Sequence, residues 1–134
     1  MIAGVNLLAV LVCAVLSMPI GFIWFHPKVF FPAWWRGIGK TEADTPQPNP
    51  LIYVLTFLAA FVEAFIVGML LDAAGVTSLA RGLGVGFILW IGLVATTNLA
   101  NNLFRGYGWK VWAIETGNHL VYLLLCGAIL AVWP

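Results

Sequence analysis

Three ionisable side chains lie inside long apolar stretches of this sequence, and their types and spacing could support chemistry. Glu63 is the single charged residue of the second apolar stretch, and Glu115 and His119 lie in the fourth. Glu115 and His119 are four residues apart and therefore share one face of a helix, with Asn118 beside them. Ionisable groups at membrane depth are costly and are usually functional or paired. We therefore treat these residues as the candidate site.

Two amides of the third apolar stretch, Asn98 and Asn101, extend this set. A short connection makes the third and fourth stretches an antiparallel hairpin, so we expect these amides at a depth similar to Glu115 and His119. Glu63 lies about 18 Å along its own helix, at 1.5 Å per residue, which places it near the bilayer midplane. The predicted intramembrane polar cluster therefore comprises Glu63, Asn98, Asn101, Glu115, Asn118 and His119.

The cluster has three interpretations. Its members could hydrogen-bond the helices to one another, which is the interpretation that we favour. They could instead form half of a proton or ion pathway, although only Asn6 and Ser17 could continue it in the outer half. Glu115 and His119 could also supply two metal ligands and Glu63 a third, but a second His or Cys at matching depth is missing. We predict no metal, no cofactor and no catalytic residues.

The elements that must position these residues follow from composition. The chain has 134 residues, of which 63% are hydrophobic and 8% charged, against about 25% charged in a soluble domain. A net charge of +1 argues against a nucleic-acid partner. Apolar stretches of about 20 residues are long enough to cross a bilayer. We predict an all-α integral membrane protein, one domain over 1–134, whose antiparallel bundle has helices at about 2–25, 51–71, 83–104 and 111–133.

The loops predict how the bundle sits in the membrane. The first half of loop one is aromatic and basic, which is typical of the membrane interface, and its second half, 41–50, is predicted to be a solvated linker. Loops one and three carry five Lys or Arg, against one elsewhere. The positive-inside rule then places both loops in the cytoplasm and both termini outside. The predicted interfacial anchors are Trp24, Lys28, Trp34, Trp35, Arg36, Trp109 and Trp112.

Three segments carry a resemblance to a known family: GFIWFHPKVFFPAWW after the first helix, GVTSLARGLGVGFILWIGLVATT through the third, and LFRGYGWKVWAIETGNHLVYLLLCGAIL across the last hairpin. With these segments the chain resembles, over nearly its whole length, a bacterial family of small membrane proteins called domain of unknown function 1761. The resemblance implies a four-helix protein of the bacterial cytoplasmic membrane. It implies no activity and no ligand residues.

Two functional hypotheses follow. The favoured one is a non-enzymatic accessory subunit that packs within a larger membrane complex, because small residues lie on several helices and no catalytic set is present. The alternative is a small homo-oligomeric carrier or channel that uses the polar cluster. The expected partners are the lipid bilayer and either other membrane subunits or copies of the same chain.

Overall fold

The computed structural model describes residues 4–41 and 49–133, and this part of the chain is helical without strands. Four of its helices are long and apolar enough to cross a membrane, which confirms the predicted all-α fold. A short helix lies between the first two. The described helices are α1 (Leu7–Trp24), α2 (Phe31–Gly37), α3 (Pro50–Ala73), α4 (Leu79–Arg105) and α5 (Trp109–Val132).

Side-chain caps set where three of the helices begin. The Asn6 carboxamide oxygen accepts hydrogen bonds from the first amides of α1, so that helix begins at Leu7 rather than near residue 2. Asn49 and Ser78 cap α3 and α4 in the same way. Because Ser78 provides this cap, α4 starts at Leu79, four residues earlier than the sequence suggested. Residues 1–3 and most of the predicted linker, 42–48, lie outside the described residues.

Helix α5 is the centre of the bundle. It contacts α1, α3 and α4 and also the short α2, whereas α4 packs chiefly against α5. Antiparallel α1 and α3 form the other side. The buried core lies where α1, α3 and α5 meet and is built mainly of small and medium side chains, including Val10, Cys13, Ala64, Val67 and Cys126.

Glycines bring α4 and α5 into backbone contact. A Cβ atom on Gly82 would overlap the backbone carbonyl of Gly127, and a Cβ atom on Gly86 would overlap the carbonyl of Leu123. Small residues are what allow helices to approach this closely in a membrane. At these two glycines the backbones of α4 and α5 are therefore in direct contact.

A π-helical turn in α4 fixes its register against α5. The turn covers Trp90–Ala95, and such turns widen the helix and release backbone carbonyl groups. The indole of Trp112 donates to the Ala95 carbonyl at 2.8 Å, and the indole of Trp90 donates to the Thr116 carbonyl at 2.7 Å. These reciprocal bonds place the π-helical turn opposite residues 112–116 of α5.

The aromatic half of loop one folds as α2 beside the loop end of the bundle. Its rings pack on each other, with the Phe25 and Trp34 centroids 5.3 Å apart and those of Phe31 and Trp35 also 5.3 Å apart. A Cβ atom on Gly37 would overlap the Val111 side chain, so α2 lies directly against α5. Helix α2 therefore covers the loop end of α5 with aromatic side chains.

Candidate functional site

A cleft of about 620 Å³ opens between α1, α3 and α5, which is within the ordinary range for small-molecule sites. It is entered at the loop end, beside His26 and Ile52, and most of its lining is apolar or aromatic. The polar side chains at its inner end include Glu63 and His119. We call this space the cleft.

The cleft reaches past the middle of two of the long apolar helices. Glu63 lies thirteen residues after the start of α3, and Tyr122 lies thirteen residues after the start of α5. At 1.5 Å per residue this is about 20 Å along helices that are about 36 Å long. Both side chains line the cleft, so it extends beyond the midpoint of both helices.

The Glu63 carboxylate forms no hydrogen bond or ion pair with any residue that the structure describes. In the described part of the chain, no Lys or Arg lines the cleft. A carboxylate at membrane depth without a protein cation is energetically costly. Glu63 is therefore an unpaired acid at the inner end of an open cavity.

A second cavity, which we call the vestibule, lies beside the cleft at the loop end. It has a volume of about 380 Å³, and its lining includes Trp34, Arg105 and Glu115. Asn118 and His119 line both cavities and so form the wall between them. The Asn118 Oδ1 atom is buried without a hydrogen-bond partner among the described residues. The wall thus holds an acceptor that the described part of the chain leaves unsatisfied.

Tryptophan indoles secure the helices around this site. Trp34 donates from Nε1 to Glu115 Oε1 at 3.2 Å, which ties α2 to α5. Trp24 donates to the Ile114 carbonyl at 2.7 Å, which ties the end of α1 to α5. With Trp112, these are three predicted interfacial anchors that bond into the bundle. The others lie at the loop end: Trp109, Lys28 and Arg36 are exposed, and Trp35 donates to the Thr41 carbonyl.

Asn98 and Asn101 do not join the cluster. The Asn98 amide donates to the Val94 carbonyl of its own helix, and Asn101 is exposed. The Ala95–Trp112 bond explains this: residues that follow Ala95 on α4 lie opposite the start of α5, nearer the loop than Glu115. Neither amide lines the cleft or the vestibule, whereas Asn118 and His119 line both.

The predicted cluster does not include Asn102, which is the buried amide of α4. Its side chain is 2% exposed, and Nδ2 has no hydrogen-bond partner among the described residues. Asn102 lies seven residues after buried Ala95, so the two share a helical face toward α5. That spacing is the signal that could have distinguished it from Asn101.

A third cavity opens at the opposite end of the bundle, where α1 begins and α3 ends. This outer cavity has a volume of about 230 Å³, and Asn6, Gly68 and Asp72 are among its lining residues. A Cβ atom on Gly4 would overlap the Asp72 carboxylate, so the N-terminal segment lies against this opening. The sequence assigned Asp72 to a loop, and its position beside a cavity was not predicted.

A thin packed layer, which we call the septum, separates the cleft from the outer cavity. On α3, Glu63 lines the cleft and Gly68 lines the outer cavity, a separation of about 8 Å along the helix. The Tyr122 hydroxyl donates to the Ala60 carbonyl at 2.7 Å on the cleft side of this layer. The septum consists of the buried side chains of Val10, Cys13, Ala64, Val67 and Cys126.

The arrangement offers no assembled metal site. The described residues contain no group of three His, Cys, Asp or Glu side chains close enough to hold an ion. Glu63 lines the cleft, whereas Glu115 lines the vestibule. The three ligands considered from the sequence therefore do not converge on one point.

A comparison with protein families gives one finding. A family model described as "Protein of unknown function (DUF1761)" matches residues 8–131, which confirms the resemblance noted in the sequence. No curated protein and no solved structure matches the chain.

Proposed function

The chain belongs to DUF1761, a family of proteins of unknown function, and we propose from its own geometry that it is a small, non-enzymatic membrane carrier. It binds a small molecule in the cleft and passes it through the septum to the outer cavity. One observation carries this proposal: two cavities that open at opposite ends of the bundle approach each other across a septum about 8 Å thick along α3 and about 12 Å thick along α1 and α5.

Carriers hold their substrate near the bilayer midplane and open to one side at a time. The inner end of the cleft, at Glu63, has that position. The septum has the composition that such a motion needs, because its side chains are small or medium and carry no ion pair among the described residues. Small shifts of packed helices past one another are a common way to open such a layer.

The predicted orientation and assembly complete the proposal. If loops one and three are cytoplasmic, the cleft and the vestibule open to the cytoplasm and the outer cavity opens outside. The membrane is then the bacterial cytoplasmic membrane. The chain acts as a homo-oligomer, because one bundle of four spans leaves little protein around the route.

The two cysteines of the chain test whether the septum opens. Both Cys13 and Cys126 are buried in it, and a thiol reacts with a charged maleimide only when water and reagent reach it. In proteoliposomes we expect the charged maleimide to modify at least one of these thiols slowly. Mass spectrometry measures the extent of modification over time. The variants Cys13→Ser and Cys126→Ser assign which thiol reacts.

A control establishes that the reagent reaches the cleft. Ser17→Cys, made without the two native thiols, places a thiol in the cleft lining and should label rapidly whether or not the septum moves. A septum whose native thiols remain unmodified for hours, while the cleft thiol labels completely, would contradict the carrier.

The accessory subunit remains a second candidate because of the outward face of α4. Gly84 and Gly92 on this helix have no atom within 4 Å of an added Cβ, and α4 is the least buried of the four spans. Open glycines on a membrane helix suit close packing against a partner helix.

The mass and composition of the particle extracted in mild detergent distinguish the carrier from the accessory subunit. Other polypeptides at constant stoichiometry support the subunit, and copies of this chain alone contradict it.

A further inference from the structure

The charge balance of the cleft is one-sided. Among the described residues Glu63 is the one acid in the lining, no Lys or Arg lines it, and its two histidines are His26 at the entrance and His119. Arg105 faces the vestibule, and Lys28 and Arg36 are exposed at the loop end. Removing one partner of a buried ion pair is strongly destabilising because the remaining charge is uncompensated. Glu63 likewise has no cation partner among the described residues, so a cation from outside the chain would compensate its ionised carboxylate.

The hydroxyl groups of the cleft cannot serve an anion. Ser17, Thr56 and Tyr122 each donate their proton to a backbone carbonyl at 2.6–2.7 Å. Their oxygens retain accepting lone pairs, and the Glu63 carboxylate is an acceptor as well. The hydroxyl oxygens and the Glu63 carboxylate therefore present acceptors, which complement a ligand that carries positive charge or donates hydrogen bonds. Asn118 and His119 add N–H donors to the same lining.

Aromatic rings line the approach to Glu63. Phe22 and Tyr53 face each other at the entrance with ring centroids 6.0 Å apart, and Phe25 and Phe31 line the same cleft. The face of an aromatic ring carries negative potential and attracts ammonium groups. The same rings also provide apolar contact for the rest of a ligand. Rings at the entrance and a carboxylate at the inner end both favour a cation with an apolar body.

We propose that the ligand of the cleft is a monovalent organic cation, an amine or a quaternary ammonium ion with an apolar body, paired with the Glu63 carboxylate. This inference rests on the proposed binding role of the cleft and names its ligand class. A divalent metal ion is a poor occupant because it needs several oxygen ligands, and one carboxylate is present. A cleft of about 620 Å³ holds a molecule of drug size.

Two ions of nearly identical shape and opposite charge test the proposal. Equilibrium dialysis of the purified full chain in mild detergent compares tetraphenylphosphonium with tetraphenylborate, with protein-free micelles as the blank. We expect the phosphonium ion to bind at least tenfold more tightly than the borate. Glu63→Gln should weaken phosphonium binding at least tenfold. Glu42→Gln, which removes one acid from the linker predicted from the sequence, should leave binding unchanged.

Each outcome has a distinct meaning. Equal affinity for the two ions, unaffected by Glu63→Gln, overturns the cationic ligand but leaves the cleft as a binding site. Binding of neither ion to the wild-type protein also overturns the cationic ligand. The carrier proposal is tested separately by the labelling of the septum thiols, because that experiment uses no ligand. The comparison of the two ions is made on wild-type protein, so the test does not depend on how the variants fold.

Discussion

Indole hydrogen bonds hold the site together at the level of single residues. An N–H group without a partner is costly in hydrocarbon, so each tryptophan at membrane depth needs an acceptor. Trp24, Trp90 and Trp112 find theirs in backbone carbonyls of a neighbouring helix. Trp34 instead bonds to a side chain, the Glu115 carboxylate. The four bonds surround the first third of α5 and fix the wall that carries Asn118 and His119.

Trp34→Phe should loosen α2 from α5. The substitution keeps a ring in the aromatic cluster and removes the donor to Glu115, a hydrogen bond of about 0.6 kcal/mol in a membrane protein. We expect amide hydrogen exchange over residues 31–37 to be roughly threefold faster, because 0.6 kcal/mol corresponds to that ratio. Trp109→Phe is the control, since Trp109 is 67% exposed. Identical exchange rates in the wild-type and Trp34→Phe proteins would contradict a stabilising hydrogen bond between Trp34 and Glu115.

At this scale the sequence identified the important residue types but not all of their positions. Helical spacing places Asn118 and His119 close together, and both line the cleft with Glu63. Asn98 and Asn101 line neither cavity, and which face of α4 meets α5 depends on tertiary packing that periodicity does not encode. Trp24 and Trp34 were interpreted as interfacial anchors because their acceptors are 90 and 81 residues away in the chain.

At the scale of elements, α4 and α5 depend on glycines that permit backbone contact. Gly82 and Gly86 of α4 meet α5, whereas Gly84, between them, points away from it. The sequence indicated that glycines allow tight packing, and the structure adds which of them do so. Neighbouring glycines on one helix thus have opposite roles, which provides a matched pair for a test of packing.

Gly82→Ala should destabilise the bundle, and Gly84→Ala should not. A methyl group at position 82 would collide with the Gly127 backbone, an overlap that costs about 1–3 kcal/mol. At position 84 it meets open space, and replacing a helical glycine gains about 0.5–1 kcal/mol. Unfolding free energies from sodium dodecyl sulfate titration in mixed micelles measure both changes. Equal values for the two variants would contradict the α4–α5 contact.

At the scale of the whole molecule, the four spans were predictable and the cavities were not. Length and hydrophobicity alone define a span, and the sequence carries both signals clearly. The cleft, the septum and the outer cavity depend on how α1, α3 and α5 pack, which no local pattern encodes. The orientation of the bundle stays a prediction from the five basic residues of loops one and three.

Counterflow of a labelled quaternary cation tests the central claim most directly. Proteoliposomes loaded with unlabelled benzyltrimethylammonium, which crosses lipid slowly because its charge is permanent, should accumulate the labelled ion from outside. We expect the Glu63→Gln variant to reduce this uptake at least tenfold, toward the level of protein-free liposomes, while Glu42→Gln retains it. Uptake by the wild-type protein no faster than by protein-free liposomes, or full uptake by the Glu63→Gln variant, would contradict a carrier that works through this cleft.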